Sequence, residues 1–189
     1  MKNLLNCHVI GMHSFPIKIS GGLYQRVFTT TKEHVLHRRR PIPLAIHPHH
    51  VGIKITVLKG ELTNVLYRLD DEGDLELGEF EYKSHILGKG GYFEYRKQQR
   101  LKMISEITYK EGESFFMESC DMHTVVVPER MESAWLVQEE LPTCDYFPVS
   151  YSDQDLEEWD TVGLYLEITP EQAQKYLNGL DYQKHIVYE

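Results

Sequence analysis

The chain has 189 residues, of which 41% are hydrophobic and 26% charged, as expected for one folded domain. Its 20 basic and 29 acidic side chains give a net charge of -9, so nucleic acid is not expected as a partner. No apolar stretch is long enough for a membrane span, and the first residues lack a signal-peptide pattern. Cys7, Cys120 and Cys144 are far apart and suggest neither a disulfide framework nor a zinc ribbon, which favours a cytoplasmic location.

Residues 1 to about 150 have the pattern of short strands separated by turns. Residues 53–57 alternate with a period of two, and the motif Asp70-Asp71-Glu72-Gly73 is turn chemistry typical of paired strands. Further strands are predicted at 17–19, 23–28, 62–69, 80–83, 103–109, 114–117, 124–127 and 134–137. Many strands with little room for helices between them predict an all-β sandwich or barrel.

The last forty residues change character. Thr169, Pro170 and Gln172 combine an N-cap, a proline at the first helical position and a capping-box partner. The apolar side chains that follow share one helical face: Ala173, Tyr176, Leu177 and Leu180. A helix is therefore predicted over 170–180.

A shorter helix is predicted after Ser152, carrying Leu156 and Trp159. One and a half amphipathic helices cannot bury a core of their own. The predicted organisation is therefore a barrel domain of residues 1–150 with a helical tail, residues 151–189, packed on the barrel or on a partner subunit.

Three histidines are predicted to face the interior. Side chains two residues apart in a strand share a face, so His47 and His49 lie on one face. The same face carries Val51, Ile53, Ile55 and Val57, which makes it apolar and interior. His50 is predicted to face outward, unless a distortion of the strand exchanges it for His49. His123 shares the parity of Val125 and Val127 and is also interior, so three imidazoles can meet at one metal ion.

These residues resemble the cupin superfamily. His47, His49 and Gly60 match the paired histidines and closing glycine of its first motif, and Gly112 and His123 match the spacing of its second. The segment 122–125 resembles the histidine segment of three-histidine cysteine dioxygenase-like cupins. The resemblance covers about residues 40–130 and implies a double-stranded β-helix, or jelly-roll, barrel with one or two C-terminal helices.

The chain departs from the cupin motifs at several positions. Ile53 or Lys54 stands where many cupins have a glutamate ligand, which leaves three histidines without a carboxylate. Glu118 and Cys120 replace the proline and glycine that usually precede the second-motif histidine. Cys120 is interpreted as a small buried residue at the glycine position. No pair of residues matches the cross-linked cysteine and tyrosine of cysteine dioxygenase.

The resemblance implies a non-haem iron, three-histidine dioxygenase-like enzyme acting on a small polar or thiol-containing metabolite. Fe(II) is the favoured ion, with Zn, Ni and Mn as alternatives. An arginine among Arg38, Arg39 and Arg40 is the candidate partner for a substrate carboxylate. The alternatives are a non-catalytic small-molecule-binding cupin and a metal-dependent isomerase or hydrolase. A homodimer is compatible with each of these, and a membrane partner is not expected.

Overall fold

The computed structural model describes residues 2–20, 23–38, 46–83, 92–143 and 149–186. The strands are β1 (Asn3–Leu5), β2 (Met12–Ser20), β3 (Leu23–Thr30), β4 (His47–Pro48), β5 (Val51–Lys59), β6 (Glu61–Leu69), β7 (Leu75–Tyr82), β8 (Phe93–Lys110), β9 (Ser114–Met117), β10 (Met122–Val126), β11 (Ala134–Thr143), β12 (Val149–Ser152) and β13 (Leu166–Ile168). The helices are α1 (Pro170–Leu177) and a 3₁₀ turn (Gln183–His185).

The strands form two antiparallel sheets. The first sheet has the order β13-β1-β2-β3-β11-β5-β9, and the second has the order β12-β7-β8-β6-β10-β4. Successive strands from β3 to β6, and again from β9 to β12, lie in alternate sheets. This path is that of a jelly roll, and the predicted all-β fold class is confirmed.

The main core lies between the two sheets. Ile53, Ile55 and Val57 of β5 pack there with Leu62 and Trp135, and all five side chains are buried. Burying each of the aliphatic side chains stabilises the fold by roughly 1.5–3 kcal/mol. The face predicted as interior from the alternation in β5 is therefore interior in the structure.

Two turns follow the sequence prediction. Gly60, the predicted closing glycine of the first motif, joins β5 to β6 with φ +73, and a Cβ there would lie 2.6 Å from Ser133 Oγ. In the turn after β6, the Asp70 carboxylate accepts the backbone N–H of Glu72 at 3.0 Å, and the Asp70 carbonyl accepts that of Gly73 at 2.8 Å.

Helix α1 begins as predicted. The Thr169 hydroxyl accepts the N–H of Gln172, whose side chain accepts the N–H of Thr169 in return, forming a capping box. Ala173 and Leu177 pack on the outer side of the first sheet, against Phe15, Val27 and Leu136. The helix has eight residues, and no helix in the described ranges is long and apolar enough to cross a membrane. The tail thus packs on the barrel itself, while the domain boundary near residue 150 stays a prediction.

The predicted shorter helix after Ser152 is wrong. Ser152, Asp155 and Asp160 each accept, through the side chain, the backbone N–H two residues farther along. Such local bonds compete with helical hydrogen bonds and hold the segment in turns. Leu156 and Trp159 pack as predicted for apolar residues, against side chains of β7 and β8, but from this irregular segment.

Candidate metal centre

Three imidazoles converge between the sheets. The potential ligand atoms of His47, His49 and His123 all lie within 4.8 Å of one another. The Nε2 atoms of His49 and His123 are 3.0 Å apart. Two nitrogens bound to one divalent ion at about 2.1 Å lie about 3.0 Å apart at a right angle and about 3.4 Å apart in a tetrahedral arrangement. The spacing of the group therefore fits a single shared ion.

The strand register places these side chains together. His47 in β4 is the direct antiparallel partner of His123 in β10, so their side chains lie on the same face. His49 lies in the short link between β4 and β5, and its carbonyl accepts the backbone N–H of Cys120 at 2.7 Å. The two histidine segments are thus joined by backbone hydrogen bonds on either side of the group.

Asn64 determines how His123 can bind. Its Oδ1 lies 2.8 Å from His123 Nδ1, and both side chains are buried. Because a carbonyl oxygen only accepts, Nδ1 must carry the proton, which leaves the lone pair on Nε2. Histidine ligands of metals commonly donate their other N–H to such an oxygen, so Asn64 is a supporting residue of the candidate site.

Two of the three imidazoles have lowered pKa values. Burial, assisted by repulsion from His47 and other histidines, lowers the pKa of His49 to about 3. Burial, then the charges of His49 and His47, lowers the pKa of His123 well below its usual value. Neutral imidazoles keep the lone pairs that a metal requires. Among the described residues, no carboxylate belongs to the group, as expected from Ile53 at the position where many cupins have glutamate.

The group opens into a cavity of about 220 Å³. A cavity of this size has room for a small molecule. Most of the wall is apolar and includes Met12, Phe28, Leu36, Ile53, Ile55 and Trp135. Apart from the three histidines, the polar side chains of the wall are His8, Arg26, Thr124 and Glu139.

The first sheet contributes a half-buried cation to this cavity. The Arg26 guanidinium lies 5.6 Å from the centre of the Phe28 ring, and burial lowers its pKa. Its Nε is buried and has no hydrogen-bond partner in the described ranges. Glu139 faces the same cavity, its pKa is raised by burial, and it accepts the backbone N–H of Tyr24. Glu139 acts electrostatically on Arg26, but the Nε donor of the half-buried guanidinium is unused and is suited to bind an anion.

The other predicted site residues lie elsewhere. His50 is exposed and outside the group, so the structure brings His49 rather than His50 to the other two histidines. Arg38 is exposed and does not line the cavity, whereas Arg39 and Arg40 fall outside the described residues.

Cys120 differs from its interpretation as a small buried residue. It is exposed and disulfide-bonded, although its φ of +71 is the left-handed conformation expected at a glycine position. Cys7 is free and buried, and Cys144 lies outside the described residues. Because disulfides persist mainly in oxidising compartments, the argument for a cytoplasmic location from the cysteines is weakened, and that location stays a prediction.

The sequence analysis missed four residues. His8 and Arg26 line the cavity, and Asn64 and Tyr165 contact the cavity residues His123 and His8. Arg26 shares the strand face of Phe28, which was a usable signal, since a cation on an apolar face needs a partner. His8 and Tyr165 are 157 positions apart, and no periodicity connects them.

No protein-family model matches the chain, and no curated protein matches it. Similar solved structures include hydroxypropylphosphonic acid epoxidase from S. wedmorenis, 14% identical with TM-score 0.42, over 74% of this chain and 55% of that one. A hydroquinone 1,2-dioxygenase from a Sphingomonas species, with 4-hydroxybenzoate bound, is 8% identical with TM-score 0.41, over 69% and 67%. A cupin superfamily protein from Desulfitobacterium hafniense is 10% identical with TM-score 0.36, over 68% and 78%.

These similarities concern the fold and carry no information on the reaction. The chain spans about half the length of the first structures that it matches, between 48% and 52%. The solved structures similar to this chain thus include a cupin, and its own strand order follows the jelly-roll path that the sequence predicts.

Proposed function

We propose that the chain is a metal-dependent enzyme on a cupin-type barrel, in which His47, His49 and His123 hold one divalent transition metal. The observation that carries this proposal is the convergence of three imidazoles on a small, mostly apolar cavity. A buried histidine with a purely structural role looks different. His34 shows this: its ring centre lies 5.8 Å from that of His37, but its Nε2 is 3.1 and 3.0 Å from two backbone carbonyl oxygens, which occupy the nitrogen that a metal would need.

Fe(II) is the proposed ion, with Zn, Ni and Mn as alternatives. Three neutral ligands leave a divalent ion its full charge and leave coordination positions for substrate. Bound iron would supply O₂ activation, whereas bound zinc would acidify a water molecule. The protein's own contribution is to orient His123 through Asn64 and to exclude water with the apolar wall.

The proposed reaction is a dioxygenase-like oxidation of a small polar or thiol-containing metabolite. For a thiol, both atoms of O₂ enter the product, and the four electrons come from sulfur as thiolate becomes sulfinate, so no other reductant is needed. We assign the substrate carboxylate to Arg26, because its guanidinium lines the cavity and Arg38 is exposed. The apolar wall between Arg26 and the histidines would enclose the substrate's hydrocarbon part.

Oxygen consumption by the Fe(II)-loaded protein with a panel of small thiol carboxylates tests this proposal. One O₂ should be consumed for each sulfinate formed. Arg26→Ala should raise KM roughly tenfold or more, because it removes a charge-assisted hydrogen bond. The matched control is Arg68→Ala, which removes an exposed arginine paired with Asp70 and should leave KM unchanged. Absence of metal binding by the parent protein would contradict the proposal.

A second candidate is a metal-dependent isomerase or hydrolase. It is favoured by Glu139, a cavity carboxylate whose pKa is raised by burial, as suits a general base. Purified protein that carries zinc and consumes no oxygen, and whose activity is lost in Glu139→Gln, would favour this candidate. Ligand binding without turnover would instead indicate a non-catalytic binding module. The homodimer stays a prediction.

A further inference from the structure

The N-terminal loop and the C-terminal tail meet at the cavity wall. The backbone N–H of Tyr165 donates to the Asn6 carbonyl at 3.0 Å, and the Asn6 side-chain amide donates to the Gly163 carbonyl at 2.9 Å. Strands β1 and β13 pair directly beyond this point, with Leu5 opposite Leu166. The tail therefore holds the loop that carries His8 in one place.

This junction is strained. The described residues include five non-glycine residues with positive φ, and three of them lie here: Asn6 at 52°, His8 at 68° and Tyr165 at 53°. L-residues adopt this region at a cost, and such strain persists only where the surrounding contacts enforce it. Of these three residues His8 lines the cavity, so the contacts of the junction also fix the position of that side chain.

Tyr165 determines the protonation of His8. The Tyr165 hydroxyl lies 3.0 Å from His8 Nδ1, and the rings meet edge to face. Burial raises the pKa of Tyr165, so the hydroxyl keeps its proton. His8 Nδ1 is an acceptor within hydrogen-bond distance of this hydroxyl. With the hydroxyl donating to Nδ1, the proton of the neutral imidazole must reside on Nε2.

His8 lies close to the proposed metal site. It lines the cavity, and its ring centre is 6.2 Å from that of His47. We propose that His8 donates a hydrogen bond from Nε2 to an anionic ligand bound at the three-histidine site, with Tyr165 as the residue that positions it. This inference rests on the proposed metal site. It adds His8 to the metal ion and Arg26 as a group that would bind an anion.

Azide binding to the Co(II)-loaded protein tests the inference without requiring turnover. Azide coordinates first-row metals, and its uncoordinated nitrogen can accept a hydrogen bond. His8→Ala should raise the azide Kd, measured by visible absorption, roughly tenfold or more, while the Co(II) Kd changes less than about twofold. His8→Gln retains an N–H donor and should recover most of the affinity. Tyr165→Phe keeps the ring but removes the hydroxyl, and should raise the azide Kd about threefold.

Tyr176→Phe is the matched control. Tyr176 also packs edge to face on a buried histidine, His13, but neither residue lines the cavity. The Tyr176→Phe protein should have the same azide Kd as the parent protein.

The outcomes separate the two proposals. A parent protein that binds no Co(II) contradicts the metal site and this inference together. A parent that binds Co(II) but no azide, or an unchanged azide Kd in both His8→Ala and Tyr165→Phe, overturns the inference alone. If His8→Ala fails to fold, Tyr165→Phe decides the matter.

Discussion

The two sides of the cavity differ in chemistry. On one side, His47 and His123 lie in strands of the second sheet and His49 follows β4; no carboxylate of the described residues joins these three imidazoles. On the first-sheet side, Arg26 and Glu139 bring one positive and one acidic group into the same space. Neutral nitrogen donors are suited to a transition metal, whereas a half-buried guanidinium is suited to an anion. Under the proposed function, the two sides would bind the two ends of a small molecule by different means.

The largest expected effect comes from comparing one substitution on each side of the cavity. His123→Ala should weaken metal binding roughly a hundredfold or more, because structural zinc sites distribute about 10–16 kcal/mol of binding free energy over their ligands. Arg26→Ala should leave the metal Kd unchanged. Competition with a chelating dye measures both values. Equal loss of metal affinity in the two variants would show that the cavity is not divided in this way.

The pH dependence of the metal-free protein is the next largest effect. Burial lowers the pKa of both His8 and His49 to about 3 and that of His123 well below the ordinary value. An unfolded imidazole titrates near pH 6.5, so the unfolded chain takes up protons first as the pH falls. This contribution to stability is therefore present above about pH 6.5 and is lost progressively toward pH 3.

Urea unfolding at pH 7 and pH 5.5 measures this loss. The free energy of unfolding should fall by about 1 kcal/mol for each imidazole that remains neutral. In the His8→Gln protein the free energy of unfolding should fall less between these pH values, because one imidazole is absent. A free energy that is the same at both values of pH would contradict the neutral, buried state of these side chains.

A smaller effect is expected from placing a second carboxylate on the first-sheet side, at Ile53, the antiparallel partner of Glu139 in β11. Ile53 is buried and lines the cavity with His47 and His49. Ile53→Glu should supply a fourth ligand, tighten metal binding about tenfold and weaken binding of a carboxylate substrate by lowering the charge of the centre. Lys54→Glu is the matched control, since Lys54 is exposed and should not affect the metal. If Ile53→Glu binds metal no better than the parent, the side chain at position 53 does not face the centre.

The smallest effect concerns the outer side of the first sheet. Thr169→Ala removes the capping box of α1 and should lower the free energy of unfolding by about 1 kcal/mol. The metal Kd should stay unchanged, because the helix packs on the side of the sheet that faces away from the cavity. A thermal melt and a metal titration of the same sample measure both quantities. A change in metal affinity would connect the tail helix to the centre.

Local spacing explains what could be predicted from the sequence. The period of two in β5 places Ile53, Ile55 and Val57 in the core. The same period, extended backward along the chain, places His47 and His49 on one side. Gly60 marks the following turn, where its φ is positive. The capping box of α1 could likewise be predicted, because all of its members lie within four consecutive residues.

Features that depend on long-range contacts could not be predicted from the sequence. Asn64 reaches His123 because β6 and β10 are neighbours, and that pairing has no local signature. His8 reaches Tyr165 only because the chain ends meet in the first sheet. The segment after Ser152 has apolar spacing that suits a helix, but tertiary packing of Leu156 and local side-chain hydrogen bonds hold it in turns.

X-ray absorption at the metal edge of the stoichiometrically loaded protein tests the central claim most directly. The account predicts one ion with three imidazole nitrogens at about 2.0–2.1 Å, the remaining positions being filled by water or added anion. The His47→Ala protein, loaded under the same conditions, should lose one of the three nitrogens or the ion itself. A sulfur ligand, fewer than three imidazoles in the parent protein, or an ion that remains unchanged in His47→Ala would contradict the assignment.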